Sequence, residues 1–125
     1  MANSNNKKVI LAVDDSPENL DVLKSLLTPG YTVKAAINGT MALKIAAKNP
    51  PDAILLDVRM PGMDGFEVCR KLKQQNETRG IPVVFVTGED DSNIHAMAQE
   101  LGAVGVLNKP VDPASLRDML SACLS

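Results

Sequence analysis

Ala53-Ile54-Leu55-Leu56-Asp57-Val58-Arg59-Met60-Pro61-Gly62-Met63-Asp64-Gly65-Phe66 is the stretch on which the fold turns. Its first four residues are apolar without alternation, the pattern of a strand covered on both faces. A carboxylate, Asp57, ends the run, and Met60-Pro61-Gly62 turns the chain. From Gly65 to Gln75 the apolar residues Phe66, Cys69 and Leu72 then recur at helical spacing. A buried strand that gives way at once to a helix is half of a parallel crossover unit.

The same alternation extends in both directions. Lys8–Val13 and Thr32–Ala36 read as strands before this one, Pro82–Thr87 and Val104–Leu107 as strands after it. Ser16 is placed to cap a helix that has Pro17 at its first position and Leu20, Leu23, Leu26 and Leu27 on one face. An Ala-rich helix runs from about Thr40 to Lys48 and stops at Pro50-Pro51. Ile94, Met97, Ala98 and Leu101 form a helical stripe closed by Gly102. A last helix starts at Asp112-Pro113 and buries Leu116, Leu120, Cys123 and Leu124. The expected fold is α/β: a (βα)₅, doubly wound, five-stranded parallel sheet. With 125 residues there is room for one domain, taken as 8–125, after a polar, disordered tail over 1–7.

Sheets of this kind carry their chemistry beyond the carboxyl ends of the strands, near the point where strand order reverses. Asp14 and Asp15 follow the first strand, Asp57 ends the third, Thr87 ends the fourth and Lys109 follows the fifth. Aligning the strands brings three carboxylates, a hydroxyl and an ammonium to one rim. Mutually repelling carboxylates take up a proton or a cation, and an all-oxygen donor set with room for a phosphate suits Mg²⁺. Asp57 is then the nucleophile of an acyl phosphate, with Lys109 and Thr87 for the phosphoryl oxygens. Singly, each residue has a plainer role: Asp14 or Asp15 as a cap, Asp57 as a turn residue, Thr87 as a strand end, Lys109 as a surface charge. Their convergence on one edge is what favours the site.

Composition removes other classes. Hydrophobic residues make up 45% and charged residues 22%, and the formal charge is −2, which leaves no basic stripe for direct nucleic-acid binding. The longest apolar runs are far below a membrane span, and Met1 to Lys8 has no signal-peptide core. A cytoplasmic location is expected. Tyr31, Phe66 and Phe85 are too few to wall a flavin or a base. Cys69 and Cys123 lack motif spacing and are expected as reduced thiols on helix faces. His95 is expected on the surface, and Arg59 and Glu89 as solvated side chains flanking the site.

Val13-Asp14-Asp15-Ser16, Leu56-Asp57-Val58-Arg59-Met60-Pro61-Gly62-Met63-Asp64-Gly65, Val86-Thr87-Gly88 and Asn108-Lys109-Pro110 resemble the signature segments of bacterial two-component response-regulator receiver domains, such as the chemotaxis regulators. The resemblance covers Lys8 to the end. It implies a flavodoxin-like strand order 2-1-3-4-5 and a phosphorelay switch fed by a sensor histidine kinase or histidine phosphotransfer protein. It further implies Mg²⁺ held directly by Asp15, Asp57 and the backbone carbonyl of Arg59, with Asp14 acting through a water. Thr87 would be the switch hydroxyl, and Lys109 the phosphoryl partner, followed by a cis bond to Pro110. Gly88 would leave access to Asp57, while Gly62 and Gly65 would free the loop and helix start behind it.

The resemblance implies a receiver that catalyses only its own phosphoryl transfer and autodephosphorylation. It would act on a downstream output domain or protein, without nucleic acid or membrane, as a monomer or a weak phosphorylation-dependent dimer. Val13 to Leu20 and Gly65 to Cys69 look similar to receivers attached to cyclic-di-GMP enzymes and hybrid kinases. One position departs from the pattern: Val106 stands where many receivers carry Tyr or Phe, so no ring can swing inward with Thr87. The rearrangement is then expected in the Thr87–Ser92 segment. The alternative is a phosphorylation-independent interaction module with the same fold. A dehalogenase-type phosphatase is disfavoured because Asp14 and Asp15 are adjacent rather than spaced by one residue.

Overall fold

A computed structural model describes residues 7–88 and 92–124 of the chain. Five strands alternate with five helices: β1 (Val9–Val13), α1 (Pro17–Leu27), β2 (Thr32–Ala36), α2 (Gly39–Lys48), β3 (Ala53–Asp57), α3 (Gly65–Lys73), β4 (Val83–Thr87), α4 (Ser92–Glu100), β5 (Gly105–Asn108) and α5 (Pro113–Leu124). All neighbouring strands are parallel, in the order β2-β1-β3-β4-β5, as expected. The order reverses between β1 and β3. The expected tail over 1–7 lies outside the described residues except for Lys7.

Every residue of β3 and β4 is buried, and only Val9 of β1 is partly exposed. The two-residue period of the strands divides the core in two. Leu11, Val13, Ile54, Leu56, Val83 and Phe85 face Ala42, Ala46, Val68, Cys69, Leu72, Ile94 and Ala98 from α2, α3 and α4. Ile10, Ala12, Leu55, Val84 and Val86 face Leu20, Leu23, Leu27, Leu116 and Leu120 from α1 and α5. Continuous apolar runs in the sequence are the direct consequence of covering both faces.

The helix ends follow local chemistry. Ser16, Asn38 and Asp64 cap α1, α2 and α3 by accepting the N–H of Asn19, Met41 and Glu67. Asp112 accepts the Ser115 N–H at 3.0 Å at the start of α5. Gly102, at φ 81°, ends α4 as expected: the Ala103 N–H reaches the Ala98 carbonyl and the Gly102 N–H that of Gln99, the paired bonds of a Schellman close.

Several boundaries differ from the sequence reading. α3 ends at Lys73 instead of Gln75, because the chain folds back and the buried Thr78 hydroxyl donates to the Leu72 carbonyl at 2.7 Å. On α3 the deeply buried residues are Val68, Cys69 and Leu72, while Phe66 is half-buried and sits edge-on to Phe85 with centroids 5.2 Å apart. β5 is Gly105–Asn108 and not Val104–Leu107: pairing with β4 begins opposite Gly105, and Val104 is 47% exposed at the edge. Leu26, Met97, Leu101, Cys123 and Leu124 are only partly buried, being at the margins of their stripes. Both cysteines are free thiols.

Gly65 is the tightest point of the backbone. Its N–H donates to the Val58 carbonyl at 2.9 Å, and a Cβ there would overlap the Asp57 carbonyl and come within 3.0 Å of Val58 Cα. Backbone cannot yield as a side-chain tip can. Gly65→Ala is therefore expected to cost about 2–3 kcal/mol in urea unfolding, whereas Gly80→Ala, in open space, is expected to stay within about 0.5 kcal/mol of the native protein. Equal stabilities for the two variants would refute the close approach.

Candidate functional site

Register places the polar residues. Val13 pairs with Leu56, so Asp14 and Asp57 follow one another across adjacent strands at the reversal point. Asp57 pairs with Val86 and Thr87 with Asn108, which sets Thr87 and Lys109 beside them. The Lys109 N–H donates to the Thr87 carbonyl at 2.8 Å and the Asp14 N–H to the Ala36 carbonyl at 3.1 Å, tying these strand ends together. Residues separated by dozens of positions in the chain thus form one cluster, as the sequence reading expected.

Asp14 and Thr87 are buried, Asp57 is 5% exposed, and Asp15 is exposed at the mouth. One carboxylate oxygen from each of Asp14, Asp15 and Asp57 lies within 4.8 Å of the others. The Lys109 ammonium is shared: its Nζ is 2.8 Å from Asp14 Oδ2 and 3.5 Å from Asp57 Oδ1. Asp14 has further partners, the Ser16 N–H at 2.9 Å on Oδ1 and the Asn19 side-chain amide at 3.2 Å on Oδ2. The sequence reading gave Asn19 no role. The signal was its place at the third residue of α1, where a side chain reaches back over the strand end.

Burial, and then the negative charge of Asp14, push the Asp57 carboxyl above its usual pKa, against the pull of Lys109 and a hydrogen bond from the Arg59 backbone. Burial pulls the Lys109 ammonium down, but its hydrogen bond to Asp14 and the Asp57 charge outweigh it and hold the pKa above the usual lysine value. A pocket in which carboxylates outnumber the ammonium, presenting only oxygen donors beside an open mouth, fits a hard divalent cation. The loop Arg59–Gly62 after β3, with Asp64, lines a hollow of its own, and Gly62 takes φ 77° there. The Lys109–Pro110 peptide is cis, as the resemblance implied, and so is Thr28–Pro29. Arg59 and His95 are exposed; Glu89 lies outside the described residues. Gly88 is exposed, and a Cβ there would meet nothing.

The fold and this acidic pocket define a receiver domain. Residues 10–121 match the response regulator receiver domain, and the chain belongs to that family of two-component signalling domains. It is 49% identical over 108 residues to the response regulator PleD of Caulobacter vibrioides, covering 86% of this chain and 24% of PleD. Against the protein PilH of Pseudomonas aeruginosa it is 38% identical over 117 residues, covering 93% of this chain and 97% of PilH. The crystallised chemotaxis protein CheY4 of Vibrio cholerae superposes with a TM-score of 0.88 at 34% identity, over 94% of this chain and 99% of that one. The chain therefore spans about a quarter of PleD and nearly all of PilH. Receiver domains of this family interact with histidine kinases and output partners and typically bind Mg²⁺. No helix among the described residues is long and apolar enough to cross a membrane.

The raised Asp57 pKa has a definite sign in stability. Between the ordinary carboxylate value and the raised one, the folded protein keeps a proton that the unfolded chain has released. Without metal, stability therefore falls as pH rises through that window and stays lower above it. Asp57→Asn removes this loss, so at neutral pH in EDTA it is expected to unfold at higher urea concentration than the native protein and to show a flatter pH profile. A lower midpoint would contradict the electrostatics of the pocket.

Proposed function

We propose that the chain is a phosphorylation-activated switch that accepts a phosphoryl group on Asp57 from the phosphohistidine of a sensor histidine kinase or histidine phosphotransfer protein. The observation that carries this reading is the buried Asp57 carboxylate at the carboxyl end of β3, within 4.8 Å of two other carboxylates and 3.5 Å from the Lys109 ammonium. Asp15, Asp57 and the Arg59 carbonyl would ligate Mg²⁺, with Asp14 acting through a water. Bound there, Mg²⁺ supplies positive charge that offsets the carboxylates and the phosphoryl oxygens.

The remaining work falls to the chain itself. An Asp57 oxygen forms a bond to phosphorus as the phosphorus–nitrogen bond of the donor breaks, and the electron pair stays on the imidazole. Lys109 pairs with a phosphoryl oxygen, and the Thr87 hydroxyl donates to another. Water later cleaves the acyl phosphate to inorganic phosphate and restores Asp57. The chain catalyses these steps on itself alone and acts in the cytoplasm on a downstream output domain or protein, as a monomer or weak phosphorylation-dependent dimer. Lys109 bound to both carboxylates, with no member of the set lost, favours this reading over a phosphorylation-independent interaction module.

Acetyl phosphate with Mg²⁺ is expected to add one phosphoryl mass to the native protein and none to Asp57→Asn, measured by intact mass spectrometry. Asp15→Asn is expected to lose Mg²⁺ binding and most of the mass gain while keeping its circular dichroism. An unchanged gain in Asp57→Asn would move the acceptor elsewhere.

Val106 is half-buried against the α4 side of the core, next to a hollow of about 430 Å³ lined by His95, Ala98, Gln99, Ala103 and Val104. It is β-branched and stiff at χ1. With beryllofluoride as phosphoryl mimic, nuclear magnetic resonance is expected to show large shifts at Thr87 and the start of α4 and an unchanged Val106 rotamer. A rotamer change at Val106 coupled to Thr87 would mean that valine transmits the switch by packing.

A further inference from the structure

Among the described residues the pocket holds one ammonium and two buried carboxylates, and the ammonium sits nearer the one that is not the proposed phosphoryl acceptor. Lys109 Nζ is 2.8 Å from Asp14 Oδ2 but 3.5 Å from Asp57 Oδ1. Once Asp57 carries a phosphoryl group, the added negative charge draws the ammonium toward it and away from Asp14. Asp14 is 1% exposed with Lys109 in place, so its Oδ2 is held by protein donors rather than by bulk water. A buried carboxylate oxygen stripped of its partner opposes the move.

The oxygen that Lys109 would leave already has a second donor. Asn19 Nδ2 lies 3.2 Å from the same Asp14 Oδ2, while the Ser16 N–H holds Oδ1 at 2.9 Å. Asn19 is well anchored for this task. Its own N–H donates to the Ser16 hydroxyl at the cap of α1, and its side chain lines the cleft shared by Asp14, Leu23, Lys109 and Pro110. Its chemistry suits the position as well: an amide donates to Asp14, whereas the Glu often found at the third residue of a capped helix would repel it.

We propose that Asn19 is a positioning residue for the switch, its side-chain amide holding Asp14 Oδ2 when Lys109 transfers its ammonium to the phosphoryl group on Asp57. The inference rests on the reading of Asp57 as the phosphoryl acceptor. Asn19 touches neither the phosphoryl group nor Asp57. It acts by keeping a buried carboxylate solvated by protein in the state where Lys109 is elsewhere. Its contribution is therefore small before phosphorylation, when Asp14 Oδ2 has both donors, and large after it, when Oδ2 has one.

That asymmetry is measurable. Asn19→Leu keeps the shape and removes the donor, with Leu23 and Leu26 beside it to pack against; Asn19→Ala serves if Leu disturbs α1. The probe is beryllofluoride with Mg²⁺, titrated by fluorine resonance. The variant is expected to bind it roughly tenfold more weakly, with Mg²⁺ affinity in the absence of the probe within about twofold and a metal-free thermal midpoint within a few degrees. A double-mutant cycle separates positioning from mere structure. In a Lys109→Met background Asn19 is the side-chain partner of Asp14 Oδ2 both before and after binding. Asn19→Leu should then leave beryllofluoride affinity unchanged. Equal weakening in both backgrounds, or native affinity in the single variant, would overturn the proposal. Failure of the native protein itself to bind the probe would instead sink the assignment of Asp57.

Discussion

Two carboxylates taken out of water at adjacent strand ends, with one ammonium between them, set the conditions for the rest of this molecule. Separating Asp14 and Asp57 from solvent costs free energy that only opposite charge and hydrogen bonds can offset. Lys109 supplies the charge to both, and Ser16, Asn19 and the Arg59 backbone supply hydrogen bonds. The compensation is incomplete, since Asp57 keeps a raised pKa. Among the described residues carboxylates outnumber the ammonium in the pocket, and such a charge balance suits a divalent cation.

Holding such a pocket open requires a scaffold that does not yield. The central strands provide it, being buried on both faces and paired along their length. Close-packed interiors transmit rather than absorb displacement. The backbone contact of Gly65 with the end of β3 has the same effect from the other side, fixing the start of α3 against the residue that carries Asp57. Likewise α2 lies so close to α3 that a Cβ on Gly39 would come within 2.7 Å of Val68 Cγ2. Burial is complete along β3, whereas the edge strands β2 and β5 are half-exposed.

Val106 sits in the row of the sheet that leads to Thr87. In the register of the sheet it pairs with Phe85 on β4, two residues before Thr87. Phe85 is in turn fixed edge-on by Phe66. A stiff, branched side chain in that row fills less volume than a ring and leaves the hollow between α4 and β5 open. The side chain at 106 is β-branched and has few alternative rotamers.

The sequence by itself determined the class of fold, the number and order of the elements and the presence of five polar residues at or just past the strand ends. Continuous apolar runs at β1, β3 and β4 require a sheet covered on both sides, caps such as Ser16 and Gly102 are local in their chemistry, and the polar residues stand just past strand ends where a one-dimensional pattern still shows them. Tertiary structure alone decided the rest. That Lys109 rests nearer Asp14 than Asp57, and that Asn19 shares that same oxygen, depends on distances between β1, α1 and β5 that no local pattern encodes. The end of α3 was set by a Thr78 hydroxyl folding back on Leu72, and the start of β5 by its pairing with Val84. Periodicity reports what faces the core. It carries no measure of where a polar group returning from elsewhere in the chain will find its partner.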